Sequence, residues 1–320
     1  MIYRSSITDP FKNLAAEEYL LMRPHDGVDL YVWRNASTVV IGKNQNAWAE
    51  CNIQALEERD GGHLARRLSG GGAVYHDIDN LNFTFLMPKD EYDLSRQADV
   101  ILRAVRSLDI DAEKTGRNDL TVQGRKFSGN AFCFRGERAF HHGTLLINTD
   151  IEKMLEYLTV DPEKIASKSI ASVRSRVINL SELRPGLTTD KMEQALCIEY
   201  LKEYGGSSII HDTKELECEE LQRLRAKYAS WEWRFGETPK FDMCIKNRAG
   251  WGGIEIYLAL EEGIITNVAV ITDAMDTSIA DELEEVLKDC SFRFEDMIKR
   301  ISLLSCDETI KRNIIEWITE

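Results

Sequence analysis

Strand-like segments arrive in neighbouring pairs, with helices set between the pairs and not after every strand. That arrangement constrains this chain most. Residues 127–134 and 139–147 flank Arg135-Gly136-Glu137, and 251–261 and 264–272 flank Glu262-Gly263. Short polar turns of this kind join antiparallel neighbours, whereas parallel strands need a long crossover. Residues 30–33 and 38–41 read as a further strand pair. Leu81, Phe83 and Phe85 alternate with Asn82 and Thr84, as on a half-buried strand. Helical spacing covers 10–22, with Pro10 in the first turn and Phe11, Ala15, Tyr19 and Met22 on one face. It recurs over 94–108, 189–204, 216–228, 278–288 and 307–318. Paired strands with interspersed helices predict an α+β fold. Gly236 and Pro239 interrupt the periodicity, so the chain is read as two domains, 1–238 and 239–320.

The formal net charge of −14 argues against a general nucleic-acid binder, which needs basic surface to neutralise phosphate. It leaves room for a local basic pocket. Seven dispersed cysteines without a C-x-x-C pair predict reduced thiols and no zinc site. No apolar leader or membrane-length run is visible, so the expected location is cytoplasmic, with no membrane partner.

Four segments carry polar chemistry. In the first, Arg66-Arg67 runs into Ser69-Gly70-Gly71-Gly72-Ala73-Val74-Tyr75-His76-Asp77. Glycines let backbone approach a ligand, and arginines suit phosphate, so this is a phosphate cradle or else a tight hairpin with exposed arginines. It is neither a P-loop nor a dinucleotide fingerprint. In the second, Asn118 and Asp119 bind Mg²⁺ or form an Asx-turn. Arg125 and Lys126 follow, and strand alternation sends them to opposite faces. In the third, His141 and His142 on one strand cannot share a metal, and one buried, hydrogen-bonded histidine lining a pocket is expected. The fourth, 168–180, mixes small, polar and basic residues as a functional loop or a connector does. Glu17-Glu18 reads as a solvated face, and Trp231, Trp233 and Trp251 as junction packing.

Taken in order, R-R-x-S-G-G-G-A-V-Y-H-D, N-L-N-F, G-R-N-D-L, R-K-F-S-G-N-A, H-H-G-T-L-L and S-V-R-S-R-V-x-N-L resemble the lipoate–protein ligase family in its two-domain bacterial form. The resemblance runs from the first helix to near the C-terminus. It implies a biotin/lipoate-ligase-like catalytic domain, with mixed β-sheets flanked by helices, and a small α+β accessory domain. It also implies ATP, Mg²⁺ and lipoate as ligands. Acceptors would be lipoyl domains of 2-oxoacid dehydrogenase E2 subunits or the glycine cleavage H protein.

By the same resemblance, Arg67, Gly72, Ala73, Val74, Tyr75, Asn118, Asp119 and Lys126 would meet the nucleotide. Arg67, Gly71, Gly72, His76, Lys126, Ser128, Gly129, His142 and Gly143 would meet lipoate. Lys126 would be the catalytic residue, Asn118 and Asp119 would lie near magnesium, and Lys168, Ser172, Val173 and Arg174 would belong to an adenylate-binding loop. The implied reaction makes lipoyl-AMP and then acylates a lysine. Rival readings are a lipoyltransferase using preformed lipoyl-AMP, an octanoyltransferase built on Cys133, and a lipoyl-binding scaffold without chemistry. Biotin ligation is disfavoured because G-R-G-R-x-G is absent.

Overall fold

The computed structural model describes residues 1–115, 119–158, 176–235, 243–261 and 263–319. Asn118 and the loop residues Lys168, Ser172, Val173 and Arg174 lie outside them. Strands among the described residues are β1 (Ile2–Arg4), β2 (Asp29–Trp33), β3 (Thr38–Ile41), β4 (His63–Arg66), β5 (Val74–His76), β6 (Asn80–Pro88), β7 (Glu113–Thr115), β8 (Asp119–Val122), β9 (Arg125–Arg135), β10 (Arg138–Leu146), β11 (Ile210–Asp212), β12 (Met243–Ala249), β13 (Gly252–Glu261) and β14 (Ile264–Thr272). The longer helices are α1 (Pro10–Met22), α2 (Leu94–Arg106), α3 (Thr189–Tyr204), α4 (Glu219–Ala229), α5 (Ser278–Leu287), α6 (Phe294–Ile301) and α7 (Glu308–Thr319). None is long and apolar enough to cross a membrane.

The chain divides into two compact units. One comprises Met1–Val40, Ala47–Arg66 and Ala73–Arg234. The other comprises Ile41–Asn46, Arg67–Gly72 and Phe235–Glu320. Two short early segments thus group with the C-terminal residues, which a single cut in the sequence does not anticipate.

The first unit is built on a mixed sheet in the order β11-β1-β2-β6-β10-β9-β8-β7. β1 runs parallel to both β2 and β11, and the other pairs are antiparallel. A smaller sheet has the order β4-β3-β5. The α+β expectation holds. β2 and β3, read as a pair, belong to different sheets. β6 is buried on both faces, where alternation suggested one. Leu81, Phe83 and Phe85 enter the main core with Val100, Ile101, Met192, Leu196 and Tyr200 from α2 and α3. Asn82 and Thr84 turn to the other face, which α1 borders.

α1 begins where the sequence placed it. Asp9 accepts from the amides of Phe11 (2.9 Å) and Lys12 (3.2 Å), and Pro10 occupies the first turn. Both Glu17 and Glu18 on this helix are buried, correcting the solvated reading. Glu18 is paired with Lys227 at 2.7 Å.

In the second unit, β12-β13-β14 form an antiparallel sheet. Ile254, Ile256, Leu258 and Ile265 pack against Leu283, Leu287, Ile301 and Ile314. The turn at Gly263 (φ +78°) closes the expected β13–β14 hairpin.

Candidate active site

Lys126 owes its direction to an irregularity. β8 and β9 meet in a tight turn in which Gln123 (φ 53°) and Gly124 (φ 71°) are both left-handed, as a two-residue hairpin requires. Val122 faces Arg125 and Thr121 faces Lys126, but Leu120 faces Ser128. Phe127 is therefore the extra residue of a β-bulge. Without it, alternation would put Lys126 on the face of Ser128, towards the core. With it, Phe127 and Ser128 are both fully buried, and Lys126 shares a face with Asp119 and Gly129. The backbone of Lys126 is held again from outside the hairpin. Its amide donates to the Arg176 carbonyl, and its carbonyl accepts from Ile178.

The Lys126 ammonium meets the Asp119 carboxylate at 2.7 Å, with the two side chains 40% and 47% exposed. An ion pair this accessible contributes little to stability. Its ammonium can exchange partners when an anion arrives. A Cβ on Gly129 would come within 3.2 Å of Lys126 Cε and 3.3 Å of Nζ. The glycine thus gives the lysine a floor to lie on. Arg125, as alternation predicts, points elsewhere and pairs with Glu182.

Ser128 and Gly143 lie on the core side. The Ser128 hydroxyl accepts from Asn130 Nδ2 at 3.3 Å. A Cβ on Gly143 would meet the Phe83 ring at 2.7 Å and Asn130 Oδ1 at 2.8 Å. Packing accounts for this glycine.

The two histidines part as a strand requires. His141 enters the core between Phe83 and Phe85, with Nε2 3.0 Å from Asn130 Oδ1. Burial pulls its pKa down to about 3. A histidine held neutral in the fold binds a proton only on unfolding. Its contribution is complete above the unfolded pKa of about 6.5 and is lost as pH falls towards 3, at about 1.4 kcal/mol per unit. Urea unfolding between pH 7 and 5 is expected to show this slope in the wild type. His141→Asn should lack that part of it, and equal slopes would count against the assignment.

His142 takes the opposite face, with Thr144 two residues along β10; the Thr144 hydroxyl accepts from the Gly129 amide at 3.3 Å. His142 Nδ1 lies 2.8 Å from Glu17 Oε1, and Thr84 Oγ1 donates to the same oxygen at 2.7 Å. Thr84 in turn accepts from the Trp33 indole at 3.1 Å. Nearby, the His76 ring lies edge-on to Trp33, and its Nδ1 accepts from Asn35 Nδ2 at 3.2 Å. Asn35 is held by Asn13 at 2.9 Å. Tyr75 is buried against Tyr157, Val74 and Ala73 are half-buried, and Gly72 is exposed. Glu17, Thr84, Trp33, Asn35 and Asn13 were not singled out by motif. The one available signal was two acidic residues inside a helix that is otherwise largely apolar.

The arginine pair splits. Arg66, in the first unit, is buried and donates to the carbonyls of Trp233 and Arg234, both at 2.9 Å. Burial draws its pKa down to about 10. It is a structural residue. Arg67, in the second unit, donates to Ser69 Oγ (2.9 Å), Gly70 O (2.7 Å) and Gly72 O (2.8 Å). Its guanidinium shapes the glycine turn. Gly71 (φ +88°) donates its amide to Ala274 O at 3.1 Å. Around the same turn, Thr272 donates to Asn44 O at 2.7 Å and Lys43 pairs with Asp281 at 2.5 Å.

Comparison with known proteins gives this architecture a family. Residues 9–201 match the lipoyl protein ligase A/B catalytic domain, and residues 238–319 match the bacterial lipoate protein ligase C-terminus. The crystal structure of P. falciparum LipL1 in complex with lipoate is similar over 100% of this chain and 99% of that one, at 31% identity and a TM-score of 0.90. An archaeal bipartite lipoate protein ligase from T. acidophilum, studied with its E2 lipoyl domain, is similar over 76% of this chain and 99% of that one, at 25% identity and a TM-score of 0.64. A lipoate-protein ligase A bound with ATP shares the fold, at 23% identity, with 73% of this chain and 98% of that one covered and a TM-score of 0.61. The chain belongs to the lipoate–protein ligase family and is a ligase.

Proposed function

We propose that this enzyme joins lipoate to AMP at the expense of ATP and then passes the lipoyl group to a lysine of a lipoyl domain. The observation that carries the reading is Lys126. It is a solvent-reachable ammonium aimed by a bulge onto the face of Gly129, Thr144 and His142, in a chain similar along its length to a lipoate complex. The likeness to a ligase studied with its E2 lipoyl domain supports the acceptor class.

The chemistry follows from charge. A carboxylate oxygen must bond to the anionic α-phosphorus while the bond to pyrophosphate breaks. Lys126, turning from Asp119 towards both anions, offsets their repulsion and the charge that builds on the phosphoryl oxygens. In the second step the lysine amine attacks the acyl carbon, AMP leaves, and an amide forms. Magnesium arriving on ATP is held mainly by phosphate oxygens and asks for one or two protein carboxylates. Asp119 fits as one, and the described residues build no metal cage of their own. Such an ion would neutralise phosphate charge.

Lipoate-dependent exchange of pyrophosphate into ATP tests the reading. The wild-type chain is expected to support it and to label a lipoyl domain when ATP and lipoate are supplied. No exchange, with transfer intact from supplied lipoyl-AMP, would make the protein a lipoyltransferase. Lipoate binding without either reaction would leave a scaffold.

A further inference from the structure

The polar floor under the Lys126 face holds a carboxylate that the reaction does not use. Glu17 is 1% exposed. Burying a carboxylate is costly unless donors satisfy it. Two do so at a single oxygen: Thr84 Oγ1 at 2.7 Å and His142 Nδ1 at 2.8 Å. Thr84 is held in turn by the Trp33 indole, which donates to the same hydroxyl at 3.1 Å. The His142 ring lies 4.6 Å from Phe140, centre to centre. α1 contributes the carboxylate, and β2, β6 and β10 contribute the groups it holds.

From this geometry we infer that Glu17 is a positioning residue. It fixes His142 with its Nδ1 proton on the carboxylate, and through Thr84 it fixes Trp33, so that the acyl part of the acid meets a rigid wall. A carboxylate oxygen can only accept, so the nitrogen that faces it carries a proton and Nδ1 is held as the donor. Any hydrogen bond from His142 to the acid then runs through Nε2. β10 places His142 two residues from Thr144 on the face that carries Lys126 and Gly129, further along the site from the ammonium. Glu17 therefore acts on acid binding and not on the phosphoryl chemistry. This rests on reading the site as a lipoate site.

Two variants test it, Glu17→Gln and Glu17→Ala, each with a spectroscopic and a binding readout. In ¹⁵N-histidine-labelled protein, the wild-type His142 Nδ1 should carry a proton-bearing signal, and Glu17→Ala should move it towards a mixture of tautomers. Titration calorimetry with lipoate should show binding weakened on the order of tenfold in Glu17→Ala, the scale of one lost charged hydrogen bond. The KM for ATP in exchange should stay within about threefold of the wild type, because losing one remote hydrogen bond falls on acid binding alone. Glu17→Gln keeps an acceptor oxygen and should fall between the two, which guards against a Glu17→Ala that fails to fold. Wild-type lipoate affinity and an unmoved His142 signal in both variants would overturn the assignment. A wild-type chain that binds no lipoate would instead sink the proposed function, while the spectrum still decides the clamp.

Discussion

Lys126→Ala is expected to lower lipoate-dependent ATP–pyrophosphate exchange by on the order of 10²–10³-fold, the scale on which one preorganised donor to developing charge acts. The fold should barely notice. The side chain is 40% exposed, its partner Asp119 is 47% exposed, and pairs of that kind contribute about 0–1 kcal/mol. Thermal unfolding should therefore be close to wild type, separating a chemical loss from a structural one. Lys126→Arg is not a safe rescue. The ammonium lies over Gly129, where a Cβ would already come within 3.3 Å of it, and a planar guanidinium needs more width than that floor gives. Exchange surviving in Lys126→Ala would place the charge that supports adenylation elsewhere.

How much of this could be read from the chain differs by feature. The helix from Pro10 and the hairpins at Gly136 and Gly263 were legible because their causes are local: a capping Asp9, a proline in the first turn, and glycines at positive φ. The pairing of β2 and β3 misled because adjacency in sequence says nothing about which sheet a strand joins. The direction of Lys126 was half legible. Alternation correctly separated it from Arg125, but the bulge at Phe127 depends on register with β8, which no local signal reports. Glu17 and Glu18 were misread for a related reason. A carboxylate on a helix is solvated by default, and only the fold brings Thr84, His142 and Lys227 to these two. Motif spacing found residues that stand near one another in sequence. The network around Glu17 draws single residues from four elements, so no spacing encodes it.

The glycine run is where sequence and structure part most usefully, and Gly70→Ala decides between them. Consecutive glycines were read as room for a ligand or else as a tight hairpin. In the second unit, a Cβ on Gly70 would fall 2.2 Å from Ala274 O and 2.8 Å from Met275 O, both backbone atoms that cannot step aside cheaply. The same turn presses elsewhere too, since a Cβ on Gly42 would lie 2.2 Å from Gly71 O. Gly72 is the contrast: a Cβ there meets nothing within 4 Å. Gly70→Ala is therefore expected to cost about 1–3 kcal/mol through overpacking, a fall of roughly 3–10 °C in the unfolding midpoint, with or without ligands. Gly72→Ala should unfold like the wild type and lose exchange activity only if ATP or lipoate comes within contact of that position. A Gly70→Ala protein with wild-type stability and no activity would reverse the argument. It would return that glycine to the ligand and leave the packing at Ala274 an incidental neighbour.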